Sequence, residues 1–383
     1  MLCESGPVSD LLITNARVLR APGEQPSEPT TVAVRAGLIS DDPVPGAPNL
    51  DAGGGVVTAG FWNCHVHLTE PTWAGAAHKD RAVLQAGLDD MFGERGFTAV
   101  VDLASNSRDT LPLRRRIDSG ELHGPRILTA TEAIRPWRGL PFYTKEAVPW
   151  FLWWALPAPA TAWGAGRAAR RQLAKGADVI KLFTGSYVER DRIKPMRPGP
   201  AGAAVRAAHD RGALTFAHTS NRVGLEVALD ADVDVIAHVP DETDGTEGLL
   251  RAAADRGVWL VPTLDMFAQT VTRDRSYLDA IHDALRSFIA DGGHLLFGTD
   301  VGYLADHDTR GELAALAECG LGVADVLRML TTHPSAALGH GGGTVTVGEP
   351  ADLVVLERLE TVTDLAGVRA TIRDGRTIWE ATR

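Results

Sequence analysis

Eight short apolar runs, at 61–66, 98–102, 126–129, 179–183, 214–217, 233–237, 258–262 and 294–298, set the terms on which this chain can fold. Segments patterned for helices separate them, at 79–94, 161–175, 200–211, 224–231, 246–256, 274–291, and 312–319 with 323–337. Strand and helix in alternation is the pattern of a parallel α/β architecture, and eight strands is the number that a closed (β/α)8 barrel needs. Such a barrel takes about 250 residues, so a chain of 383 has room for an accessory domain.

The two ends of the chain read differently. Strand-like runs at 11–14, 17–19 and 31–34, and again at 344–347, 352–356, 370–372 and 376–379, are separated by turns rich in Gly and Pro. Neither end alone buries much core, so residues 1–58 and 343–383 are expected to pair into a small β-sandwich beside a barrel of residues 59–342. Residues 135–163 are irregular, with five prolines and the aromatic cluster Trp150-Phe151-Leu152-Trp153-Trp154. A connection this long serves as a lid or pocket wall, or equally as a packing strip or oligomer contact.

Five of the eight runs end in a residue able to hold a metal. His65 and His67 stand two apart on one strand and so project from the same face. Lys181, His218, His238 and Asp300 follow, each near the end of its own run. Barrel enzymes build their sites at those strand ends. Lys181 is the sharpest clue, because an unpaired ammonium among Val179, Ile180, Leu182 and Phe183 is costly to bury. Carboxylation by carbon dioxide would turn it into an anionic, metal-bridging carbamate; a salt-bridged or snorkelling lysine is the alternative. Asp300 is placed to touch a metal and accept a proton, with a helix N-cap as its other reading. Tyr187, Arg222 and Tyr303 lie shortly after ligand-bearing runs and are candidates to orient substrate, as is His307 after the last run. His78, His123, His209, His282, His294, His333 and His340 read as ordinary core or surface residues.

A net charge of -11 argues against nucleic-acid binding, which depends on accumulated positive charge. Apolar residues make up 44% and charged residues 23%, with no stretch of transmembrane length. The first ten residues lack the basic segment and apolar core of a secretory signal, so a cytoplasmic protein with a small-molecule partner is expected. Homo-oligomerisation is left open. Three cysteines, Cys3, Cys64 and Cys319, do not make a disulfide framework or a metal-type spacing, and Cys64 faces away from His65 and His67 as a small core residue.

The ordered set His65, His67, Lys181, His218, His238 and Asp300, together with ADVIKLFTGS, DVDVIAHVP, LLFGTDVG, THPSAALG and VTVGEPADLVVLE, resembles the amidohydrolase superfamily. Within it the motifs are similar to the imidazolonepropionase-like and Xaa-Pro dipeptidase branch, whose members carry a carboxylated lysine on strand four. The resemblance covers nearly the whole chain. It implies the barrel, the composite terminal sandwich and two divalent cations, with zinc the expected ion. It also implies one metal on His65, His67, Lys181 and Asp300, and the other on Lys181, His218 and His238. A bridging hydroxide would be the nucleophile, and Asp300 the general base and then acid, for hydrolysis of an amide, lactam or peptide-like bond. Two departures stand out. Ala59 replaces the proline that usually precedes strand one, and RPWRGLPFY stands where many branch members carry a glycine- and histidine-containing loop, so the substrate does not transfer.

Two rival readings remain. A mononuclear deaminase on the same scaffold usually needs an acid close after the fifth-strand histidine, where this chain has Thr219-Ser220-Asn221-Arg222, and it leaves Lys181 unexplained. A catalytically silent scaffold that binds partners would be marked by a lost ligand, and none is missing.

Overall fold

The computed structural model describes residues 9–270 and 275–382, apart from the side chains of residues 154 and 155. Cys3 and Asp274, the first residue of one expected helix, lie outside the described residues. Cys64 and Cys319 are free and buried.

The two ends of the chain meet in one sheet. Its strands are β1 (Leu11–Val18), β2 (Thr30–Arg35), β3 (Leu38–Ser40), β4 (Asn49–Asp51) and β5 (Val56–Ala59), joined later by three strands from the C-terminal segment. The runs expected at 11–14 and 17–19 are a single strand, kinked by an irregularity between Ile13 and Ala16 where Asn15 takes a φ of 52°.

The central strands follow as β6 (Phe61–Val66), β7 (Phe97–Asp102), β8 (Arg126–Thr129), β9 (Ile180–Phe183), β10 (Gly185–Glu189), β11 (Arg192–Pro195), β12 (Thr215–His218), β13 (Val235–Ala237) and β14 (Trp259–Val261). The C-terminal segment adds β15 (Leu353–Leu356), β16 (Val368–Arg373) and β17 (Arg376–Glu380). The terminal sheet runs β17-β16-β15-β5-β1-β2-β3 with β4 against β1, and the N- and C-terminal segments join where Val57 pairs with Val355. This is one connected hydrogen-bonded path, where two facing sheets were expected. Ile13, Val34, Val57, Leu353, Val355 and Ile372 bury one face in a shared core, each such side chain contributing about 1.5–3 kcal/mol. The expected strand at 344–347 does not form.

Seven of the eight expected central strands form, within two residues of their expected ends. They fall into two parallel sheets, β6-β7-β8 and β14-β13-β12-β9, and not one continuous eight-stranded ring. The eighth run, 294–298, is not a strand, because Phe297 N donates to Met329 O at 3.1 Å and the ladder is interrupted there. That segment still lies between the two sheets. Leu296 N donates to Leu260 O on one side, and on the other Cys64 N donates to Phe297 O and Asp300 N to His65 O. Gly298 allows this approach, since a Cβ there would fall 2.4 Å from Val261 Cγ1 and 2.8 Å from His65 Cβ. On the opposite seam, Ile134 N donates to Lys181 O and Phe183 N to Ile134 O.

The expected helices are found with shifted ends; besides β3, β4, β5, the short helix Phe142–Ala147 and the 3-10 turns, three more elements went unforeseen. The helix Ser107–Asp118 contains Pro112, yet Asn106 caps it and Thr110, Leu113 and Ile117 bury one stripe. The others are the helix Leu264–Thr270 and the hairpin β10–β11. The single helix expected at 323–337 is two, Val323–Leu330 and Thr332–Leu338, broken at Thr331. Among the described residues no helix is long and apolar enough to cross a membrane.

Candidate active site

All six candidate ligands reach one cavity. Parallel registration sets this up: Lys181 pairs with Phe216 and Phe183 with His218, so the fourth- and fifth-run side chains emerge at one level. Val66 bridges to Val301, which brings Asp300 beside His65 and His67. His67 Nε2 lies 2.9 Å and His65 Nε2 3.4 Å from Asp300 Oδ1, while His238 Nε2 is 3.9 Å from Asp300 Oδ2. Ring centroids of His65 and His238 are 4.4 Å apart, and those of His218 and His238 4.8 Å. Ligand atoms of His65, His238 and Asp300 all fall within 4.8 Å of one another.

Most of these groups are buried, and several of their polar atoms lack hydrogen bonds. His65, Lys181, His238 and Asp300 are buried, and His65 Nδ1 and Nε2, Lys181 Nζ, His218 Nε2 and Asp300 Oδ1 have no hydrogen-bond partner among the described residues. Buried polar atoms left without partners are rare and costly, so several converging on one point mark a place prepared for an ion. The donor set of imidazoles and a carboxylate suits a divalent transition metal. Burial, and then the neighbouring Lys181 charge, pulls His65 and His218 well below the ordinary imidazole range. His238 is lowered too, by burial and then by His218. Neutral imidazoles keep a lone pair for coordination. Burial brings the Lys181 amine down to about 7, against the pull of Asp300. Backbone strain collects here as well, with φ at 116° for His238, 61° for Asp300 and 49° for Thr263.

The cavity has a volume of about 1410 Å³. Tyr187 and Tyr303 line it, as expected of substrate candidates; Tyr187 Oη donates to Asp241 Oδ2 at 2.6 Å, and Tyr303 packs against Tyr143 at 5.3 Å between centroids. Arg222 is exposed at the start of the helix Arg222–Asp230, and His307 is bound by Glu70 at 2.8 Å and Asp90 at 2.9 Å; neither lines the cavity. The aromatic segment is split: Val148, Pro149, Leu152 and Leu156 face the cavity, whereas Trp150 is 76% exposed and does not line it.

Residues that the sequence reading passed over also line the site. Arg135 and Tyr143 come from the irregular segment that was read as a lid, pocket wall or packing strip without naming them, and Asp241 stands three residues beyond His238.

The amidohydrolase family model matches residues 56–378. A comparison with curated proteins finds none that matches the chain. Among solved structures, a Xaa-Pro dipeptidase with bound methionine in the active site is 22% identical, covering 97% of this chain and 100% of that one, with a TM-score of 0.81. An A. niger ochratoxinase is 19% identical over 96% of each chain, with a TM-score of 0.75. Phenylurea hydrolase B is 18% identical over 96% of each, with a TM-score of 0.78. At such identities the likeness establishes the fold.

Proposed function

The chain belongs to the amidohydrolase family, and from that premise we propose that it hydrolyses a small-molecule amide, lactam or peptide-like bond at a site carrying two divalent metal ions. As a member of that family it is a hydrolase acting on carbon–nitrogen bonds. The observation that carries the finer reading is the set of unpartnered buried atoms on His65, Lys181, His218 and Asp300. His65, His67, Lys181 and Asp300 would hold one ion, and Lys181, His218 and His238 the other, with Lys181 carboxylated to serve both. A lysine amine brought down to about 7 has the neutral fraction that carbon dioxide requires. Zinc is the ion this reading favours. When bound, such ions supply positive charge that polarises a carbonyl and eases ionisation of water.

The chain's own residues do the rest. Asp300, fixed between His65 and His67, accepts a proton from the attacking water and returns it to the departing nitrogen. The buried walls keep other water out and strengthen each charge interaction inside. Tyr187 and Tyr303 sit at the cavity wall to orient the substrate. The scaffold is read as a (β/α)8 barrel over residues 59–342, its eighth strand reduced to the bridging segment that carries Asp300, with residues 1–58 and 343–383 forming the accessory β domain. A cavity for small molecules, and no membrane-crossing helix among the described residues, accord with a cytoplasmic enzyme.

The test is to incubate the metal-loaded protein with N-acyl amino acids, dipeptides and cyclic imides and to measure amine release. Hydrolysis that disappears in Asp300→Asn is expected. Turnover retained in Asp300→Asn, or deamination in place of amide cleavage, would overturn the reading.

A further inference from the structure

Arg135 carries a charge that no carboxylate of the described residues meets in an ion pair. It is 7% exposed, lines the cavity, and has no ion-pair partner among the described residues. Its Nη1 donates to Ala133 O at 3.0 Å, while its Nε has no partner. The nearest acid in sequence, Glu132, favours the charge from a distance but forms no ion pair with it, and accepts instead from Ser107 Oγ at 2.7 Å. The backbone is held in place where Arg135 N donates to Pro157 O at 2.8 Å, and the side chain by the Nη1 bond to Ala133.

Its position relative to the reacting groups is set by Phe183. The guanidinium carbon stands 5.4 Å from that ring's centroid, and the same ring lies 4.7 Å from the His218 ring and 5.9 Å from Lys181 Nζ. Arg135 is therefore one aromatic ring away from the histidine and lysine cluster. A guanidinium buried without an ion-pair partner is costly, and an arriving anion offsets that cost. With Nη1 engaged by Ala133 and Nε buried, Nη2 is the N–H group left to meet an oxygen of a carboxylate in a charge-assisted hydrogen bond.

We propose that Arg135 receives a carboxylate of the substrate, so that this enzyme takes amides bearing an anionic group, such as N-acyl amino acids or dipeptides with a free carboxyl end, in preference to uncharged amides. The bond cleaved rests on the amidohydrolase reading above; the anion site does not. The Phe183 face beside the guanidinium provides an apolar wall for the rest of the same substrate.

The experiment is calorimetric titration of the metal-loaded protein with 3-phenylpropanoate and with 3-phenylpropan-1-ol, an isosteric pair containing no bond this chemistry can cut. Wild type is expected to bind the carboxylate at least tenfold more tightly than the alcohol. Arg135→Gln is expected to erase that preference and Arg135→Lys to keep part of it. Ligand-free Arg135→Gln is expected to melt no lower than wild type, since it loses a buried charge without a partner. A carboxylate preference that survives in Arg135→Gln would place the anion on the metals and overturn the proposal. A lowered melting temperature in both Arg135→Gln and Arg135→Met would make the guanidinium a structural element and overturn it equally. If kcat for an N-acyl amino acid falls while the preference stays, Arg135 acts on the reacting carbonyl and the proposal fails. Should the preference hold while no amide is hydrolysed, the anion site stands and only the reaction is lost.

Discussion

His238 Nδ1 lies 2.7 Å from Thr263 Oγ1, a contact that fixes the imidazole with Nε2 toward Asp300. Thr263 adopts a left-handed φ of 49°, an unusual conformation for a β-branched residue, which is the kind of local cost that persists where function requires it. Removing the hydroxyl frees the ring to rotate. Thr263→Ala is expected to lower metal affinity about 10- to 100-fold with little loss of fold, read by metal content after dialysis against a buffered chelator.

Lys181 tests the two-metal reading. Lys181→Ala should lose both ions and reduce hydrolysis by roughly a thousandfold or more, because each ion contributes several kcal/mol to charge stabilisation. Elemental analysis should give about two ions per wild-type chain if the binuclear site forms. A native mass that fits an unmodified lysine, with one metal and full activity, would remove the carbamate from the account.

Gly302 has a φ of 92°, and a Cβ there would fall 1.7 Å from His67 O. Gly302→Ala is expected to displace the strand end bearing His67, costing roughly 2 kcal/mol or more. Thermal melting and metal content should fall together. A variant that melts normally and retains its metal would show that the approach can be relieved.

Glu312 ties stability to pH. It is buried, Oε2 accepts from Asp265 N at 2.8 Å, Oε1 has no partner, and burial pushes its carboxyl up to about 8. Between the ordinary 4.5 and about 8 the unfolded chain has given up a proton that the folded protein keeps. Stability from this group is therefore full below the lower value and declines as pH rises through that window. Glu312→Gln should flatten the decline and be more stable at about pH 9 by a few kcal/mol at most. Melts at about pH 5 and pH 9 check it; a slope equal to that of wild type would refute it.

The exposed aromatic residues give the opposite expectation. Trp150 stands in solvent beside a segment whose Leu152 and Leu156 face the cavity. Trp150→Ser should leave kcat/KM within about twofold and stability within ~0.5 kcal/mol. A large fall in either would mean that this side chain closes over the substrate.

By itself the sequence determined which six candidate ligands would converge on one cavity and which segments would carry them. Short apolar runs impose their own strand spacing, and a lysine or histidine ending such a run has one place to go, so His65, Lys181, His218 and Asp300 were legible from local pattern alone. Tertiary structure decided what depends on neighbours. The run at 294–298 has a strand's composition, but Phe297 bonds to Met329, outside any sheet, and the ladder lapses. The terminal strands were recognisable, yet only their pairing made them one connected sheet. Arg135, Tyr143 and Asp241 come from connections, where no periodicity constrains direction; whether such a side chain faces solvent or cavity is set by packing between elements distant in sequence.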